Sequence, residues 1–132
     1  MALGVGALAV LATGADHLEE YAANNFASVP TIGTLFLLNF IAATIIGVGL
    51  LLPRLARPVR ALLALGGIGL AGSSLIALWI SETSSLFGFT DSGFRPAIVA
   101  AIVAESTAVI ALTAYLALAA QPLRLTHGRH AA

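Results

Sequence analysis

A histidine and two glutamates in this chain are spaced to serve a buried polar site. His17 and Glu20 stand three residues apart, so they share a face if this part of the chain is helical. Glu105 lies inside a long apolar run, where an ionisable side chain is costly and is by default a functional candidate. Imidazole and carboxylate groups in such surroundings bind ligands or metal ions and transfer protons.

The elements that must position these residues are long apolar runs. About 20 apolar residues cross the hydrocarbon core of a bilayer. Spans of this kind cover about residues 31–52, 59–80 and 96–120, and a shorter apolar stretch extends with polar residues over 2–21. Because the runs are continuous and do not alternate, they predict helices rather than barrel strands. The predicted fold is all-α: one domain, 1–132, forming an integral membrane four-helix bundle.

Composition supports a membrane location and excludes several function classes. The chain has 132 residues, of which 59% are hydrophobic and 9% charged, whereas soluble domains carry about 25% charged residues. The absence of cysteine excludes thiolate chemistry within this chain. The sequence has no basic patch of the kind that binds nucleic acids, so the bilayer is the expected partner. Arginine without lysine suggests a GC-rich source, so we expect a bacterial inner membrane protein of the multi-pass class.

Charge asymmetry predicts the orientation. Arg54, Arg57 and Arg60 lie between the second and third spans, and two further arginines follow the fourth span. The opposite loops are acidic, with Arg95 as their one cation. The positive-inside rule therefore places both termini in the cytoplasm. A cleaved signal peptide ending near Ala15 is an alternative for the first span, although no basic residue precedes its apolar stretch.

Each predicted helix contributes a polar group at a similar depth in the outer half of the membrane. With a rise of 1.5 Å per residue, Glu105 lies about 14 Å below the outer end of its span and Asn39 about 12 Å below its own. Ser73 and Ser74 lie about 10 Å deep, and Thr13 is at a comparable level. If these groups face inward, they form one ligand-binding site with His17 and Glu20 beside it.

The outer end of the bundle carries two further features. Asp16 followed by Glu19 is typical of a helix N-cap, which predicts that the first helix restarts or bends after Gly14. The loop before the fourth span contains Phe87, Phe89 and Phe94. It is long for a compact bundle, so it is a candidate lid or docking surface.

A metal site is a weaker interpretation of the same residues. His17, Glu20 and Glu105 could together bind one metal ion, or His17 alone could be an axial haem ligand. A dinuclear carboxylate site needs a second histidine in the bundle, which the spans do not provide. His127 and His130 lie in a short C-terminal tail, where solvated side chains are the simpler interpretation. The cofactor, if any, is not indicated.

The chain resembles small four-span membrane proteins of high-GC bacteria, and more broadly the DoxX-like membrane proteins. The resemblance rests on His17 with Glu20 at the end of the first helix, on Ala77-Leu78-Trp79, and on the opening of the second helix, Pro30-Thr31-Ile32-Gly33-Thr34-Leu35-Phe36. It implies a four-helix bundle, and the DoxX-like proteins suggest an association with quinol-linked respiratory chemistry.

The sequence is compatible with three functions. Small residues at spacing four, such as Gly67 with Ala71 and Gly69 with Ser73, allow close helix contacts within the bundle or with another subunit. They favour an accessory or structural subunit of a membrane complex, or a homo-oligomer. The polar layer favours a protein that binds a quinone, lipid or carotenoid. A membrane enzyme or proton-linked carrier using His17, Glu20 and Glu105 is the third interpretation, and the residues indicate no particular reaction.

Overall fold

The protein is all-helical in a computed structural model that describes residues 1–90, 93 and 95–121. Four α-helices follow in chain order: α1 (Ala2–Ala22), α2 (Ile32–Leu51), α3 (Arg57–Thr83) and α4 (Pro96–Ala119), with a short 3₁₀ helix at Phe26–Ser28. The three helices α2, α3 and α4 are long and apolar enough to cross a membrane. The C-terminal tail with His127 and His130, and also Phe94, lie outside the described residues.

The helix ends follow from local chemistry. Pro58 and Pro96 occupy the first turns of α3 and α4, where no backbone N–H is needed. α3 continues past the predicted end at residue 80 to Thr83, and there Ser81 and Thr83 donate their hydroxyls to the carbonyls of Leu78 and Trp79 within the helix. Polar side chains satisfied in this way do not stop a helix that is already formed.

The predicted restart of α1 after Gly14 is wrong, because α1 is one continuous helix. Asp16 makes no N-cap there. Gly14 instead lets α1 approach α2 closely: a Cβ added at Gly14 would lie 2.8 Å from the Cβ of Ala43. The glycine is therefore explained by helix packing rather than by a break in the chain.

The four helices close into a bundle in chain order. α1 packs mainly against α2 and α4, α3 packs against α4 and α2, and α1 and α3 stand diagonally opposite. The core is built largely from small side chains, which permit short distances between helix axes. Leu112 fills it by inserting between α1 and α3, where an added Cβ at Gly67 would lie 2.7 Å from Leu112 Cδ1. The buried core residues are Ala7, Ala9, Val10, Ala43, Leu50, Ala64, Ala71, Ala108 and Leu112.

The small-residue pairs of α3 divide between two faces. Gly67 and Ala71 are buried in the bundle, so this pair serves internal packing. Gly69 and Ser73 are exposed, and a Cβ added at Gly69 would meet nothing within 4 Å. The second pair therefore faces away from the other three helices.

Candidate functional site

Among the described residues, Glu105 of α4 has the most deeply buried ionisable side chain, with 1% of its surface exposed. It occupies an inward position of α4 together with Ala101, Ala108 and Leu112, which are also buried. Within the part of the chain that the structure describes, neither carboxyl oxygen has a well-formed hydrogen bond, although the Ser74 hydroxyl is near enough to be a candidate donor. A buried polar group of this kind is costly unless something pairs with it, so it requires an explanation.

His17 of α1 lies across the bundle from this carboxyl group. Its Nε2 atom is 4.0 Å from Glu105 Oε1. Its Nδ1 atom is 2.9 Å from the carbonyl oxygen of Thr13, one helical turn earlier. Because a carbonyl only accepts hydrogen bonds, Nδ1 carries the proton of the neutral ring, and Nε2 is then an acceptor.

Ser74 of α3 completes this group. Its hydroxyl donates to His17 Nε2 across 3.1 Å, in the neutral form of the ring. Three helices thus bring His17, Ser74 and Glu105 together, as expected if the polar layer faced inward. The hydroxyl of Thr13 is also buried, and among the described residues it has no hydrogen-bond partner.

Two of the predicted site residues do not join this group. Asn39 is half-buried on α2, and its Oδ1 atom has no partner within the described part of the chain. Ser73 is exposed and donates its hydroxyl to the carbonyl of Leu70 on its own helix. Equal depth along the membrane normal places residues at one level, but helix rotation decides which of them face each other.

A pocket of about 90 Å³ extends from Glu105 towards the end of the bundle where α1 ends and α4 begins. Most of the exposed wall surface is apolar, although seven of the sixteen lining residues are polar, and apolar walls with placed polar groups are typical of sites for small organic ligands. The apolar lining residues are Ile32, Phe36, Ala77, Leu78, Leu86, Phe89, Ala97, Ile98 and Ala101. The polar lining residues are Asp16, His17, Glu20, Ser74, Ser81, Arg95 and Glu105.

An ion pair stands at the mouth of the pocket. Arg95, immediately before α4, places Nη1 3.4 Å from Glu20 Oε2, and Asn24 donates to Glu20 Oε1 across 2.9 Å. The guanidinium group also lies 5.8 Å from the ring centroid of Phe26, within cation–π range. The sequence identifies Arg95 as the one cation of the outer loops, but it did not predict that Arg95 belongs to the site. Its place next to Pro96, on the same side as Glu20, was the available signal.

Aromatic side chains cover the same end. The ring of Phe36 lies edge-on to that of His17 with centroids 5.0 Å apart, and Phe26 bridges Phe36 and Phe89 with centroid distances of 5.1 and 5.4 Å. A tight turn at Phe87 and Gly88, both with positive φ, holds Phe89 in place through two backbone hydrogen bonds between Leu86 and Phe89. Leu86 and Phe89 of this loop therefore line the pocket.

The alternative metal site of His17, Glu20 and Glu105 does not form. Among residues 1–90, 93 and 95–121, no three histidine, cysteine, aspartate or glutamate side chains are grouped closely enough to hold a metal ion. The physical reason is that Glu20 turns to Arg95 and Asn24 at the mouth, away from the level of Glu105.

Comparison with protein-family models, with curated proteins and with solved structures finds no match to this chain.

Proposed function

We propose that the protein is a membrane-embedded binding protein for a small amphipathic molecule. The polar end of the ligand bonds to Glu105, and its apolar part lies against Phe36, Phe89 and the neighbouring aliphatic side chains. The observation that carries this proposal is the 1% exposed Glu105 carboxyl, which lines a largely apolar pocket and has no well-formed hydrogen bond among the described residues. A ligand that supplies this bond offsets the cost of burying the carboxyl group.

Extraction and mass spectrometry of the purified protein test this function. The wild-type protein, purified in mild detergent, is expected to carry a co-purified small molecule in roughly stoichiometric amount. Glu105→Ala removes the polar contact, and Ala97→Phe fills the pocket from its wall, so both variants are expected to lose the molecule. Ala100→Phe is the matched control, because Ala100 is exposed on the same helix outside this pocket. Unchanged occupancy in Glu105→Ala would remove the proposed role.

We also propose that α1 is a fourth membrane span and that both termini are cytoplasmic. Support comes from the packing of α1 between α2 and α4, which requires α1 to share their depth. The arginines at 54, 57 and 60 support the orientation. Since the chain has no cysteine, single-cysteine variants can report topology: Ala23→Cys is expected to react with an impermeant maleimide from outside, and Ala56→Cys only after lysis. The reverse pattern would invert the orientation. We place the protein in the bacterial inner membrane because arginine without lysine suggests a GC-rich source.

A second candidate function, the accessory or structural subunit, is favoured by the outward face of α3. Gly66, Gly69 and Ser73 are exposed there, and small residues of this kind permit a close contact with a further transmembrane helix. Purification in mild detergent is expected to bring down a stoichiometric membrane partner or a second copy, and Gly69→Leu is expected to release it. A stable monomer that co-purifies with nothing contradicts this candidate.

A further inference from the structure

We propose that the ligand carries a positive charge: a small amine or ammonium group enters the pocket and pairs with Glu105. This inference rests on the proposed function and specifies the chemical class of the ligand. Three observations support it: the charges on the pocket wall, the hydrogen bonding of His17, and the size of the pocket.

The pocket wall has an excess of acidic groups. Asp16, Glu20 and Glu105 line it, against Arg95 as the one lysine or arginine among the described lining residues. Arg95 stands at the mouth with Glu20, at 3.4 Å. An anionic headgroup would therefore be repelled by the carboxylates, whereas a cation would be attracted to them.

His17 does not supply the missing positive charge in its neutral form. Its Nδ1 proton is donated to the Thr13 carbonyl, and its Nε2 atom accepts from Ser74, so the ring has no further proton to give to Glu105. An ionised carboxylate accepts hydrogen bonds and cannot donate them. In its ionised form Glu105 therefore needs a donor as its partner, and a quinone, whose carbonyl oxygens only accept, does not provide one to that form. An ammonium group provides both the donor and the opposite charge.

The size of the pocket limits which ligands can enter it. The whole pocket, from Glu105 to the mouth, has a volume of about 90 Å³, smaller than the cavity of about 150 Å³ that holds a benzene molecule in a protein core. The charged headgroup of the ligand lies beside Glu105, and a short apolar part fills the rest of the pocket. There Phe36 and Phe89 line the way, and aromatic rings attract cations as well as apolar groups.

Two ligands of almost the same shape test the charge directly. Propylamine is cationic near neutral pH, and 1-propanol is its neutral counterpart. Binding of each to the purified full-length protein in lipid nanodiscs is measured by calorimetry. We expect propylamine to bind about tenfold more tightly than 1-propanol, because a hydrogen bond between charged groups is about twice as strong as a neutral one. This comparison uses the wild-type protein and needs no variant to fold.

A pair of isosteric variants then assigns the effect to one carboxyl group. Glu105→Gln is expected to remove the preference for the amine, while Glu19→Gln, which deletes an exposed carboxylate on the same side, keeps it. Equal affinity for the two ligands overturns the cationic inference and leaves the proposed binding function in place. Binding of neither ligand overturns the inference as well, and the extraction experiment then decides the proposed function separately. A preference for the amine that persists in Glu105→Gln assigns it to another carboxylate and refutes the pairing.

Discussion

Replacing Glu105 with leucine is expected to stabilise the ligand-free protein while abolishing ligand binding. Both oxygens of this carboxyl group are buried without a well-formed hydrogen bond among the described residues. A buried polar group left unsatisfied costs about 1–3 kcal/mol. Leucine is of similar size, removes that cost and adds apolar contact with the surrounding core, where Ala108 and Leu112 are fully buried on the same helix. We therefore expect the free energy of unfolding to rise by about 1–3 kcal/mol.

The measurement is an equilibrium unfolding titration in mixed micelles, on protein stripped of any bound small molecule by detergent exchange. Glu19→Leu serves as the control, because Glu19 is an exposed glutamate of α1. Its replacement is expected to change the free energy of unfolding by no more than about 0.5 kcal/mol. If Glu105→Leu instead destabilises the stripped protein by more than about 1 kcal/mol, the carboxyl group has an internal partner and the reasoning is refuted. Such a result would favour a structural role for Glu105 over ligand binding.

Three further predictions concern the neighbours of this site and the packing of the bundle. Ser74→Ala leaves His17 Nε2 without its donor, so it should lower the free energy of unfolding by about 1 kcal/mol and shift the ¹⁵N resonance of that nitrogen; an unchanged resonance would contradict the hydrogen bond. Gly67→Leu should destabilise by about 1–3 kcal/mol, because the added side chain meets the core, while Gly69→Leu should leave the stability of the monomer within about 0.5 kcal/mol; the reverse order in the same titration would contradict the assignment of faces. Arg95→Gln removes a partly exposed ion pair and should cost no more than about 1 kcal/mol, while bound ligand should dissociate faster in a chase experiment; unchanged release would exclude a role at the mouth.

The helices of the fold could be predicted from the sequence because lipid-compatible runs are long and continuous. The predicted span 31–52 corresponds to α2, Ile32–Leu51, and 96–120 to α4, Pro96–Ala119. Proline at the start of α3 and α4 marked their beginnings. The end of α3 was less predictable, since its last turn lies beyond the apolar run and contains polar residues such as Thr83, whose hydroxyl bonds to its own helix.

The candidate site could be predicted by depth but not by direction. Counting residues along each span placed Glu105, Ser74 and Asn39 near one level, and the first two do meet His17 or line its pocket. Asn39 and Ser73 do not, because one residue along a helix turns a side chain by about 100°. That rotation is set by contacts such as Gly14 against Ala43, which no single helix reveals.

The mouth of the pocket was the part least accessible to sequence reasoning. The pairing of Glu20 with Arg95 joins residues 75 positions apart. Such a pair depends on the closure of α4 against α1. The cluster of Phe26, Phe36 and Phe89 likewise draws on two connections and one helix.

The distance between Glu105 and His17 tests the central claim most directly. Solid-state NMR can measure it in lipid bilayers, with ¹³C at the glutamate carboxyl groups and ¹⁵N at histidine Nε2. Oε1 of Glu105 lies 4.0 Å from Nε2 of His17, so we expect strong dipolar dephasing of one glutamate signal, which disappears in Glu105→Gln. Absence of that dephasing in the wild-type protein would mean that the carboxyl group points away from α1, and the internal binding site would not exist.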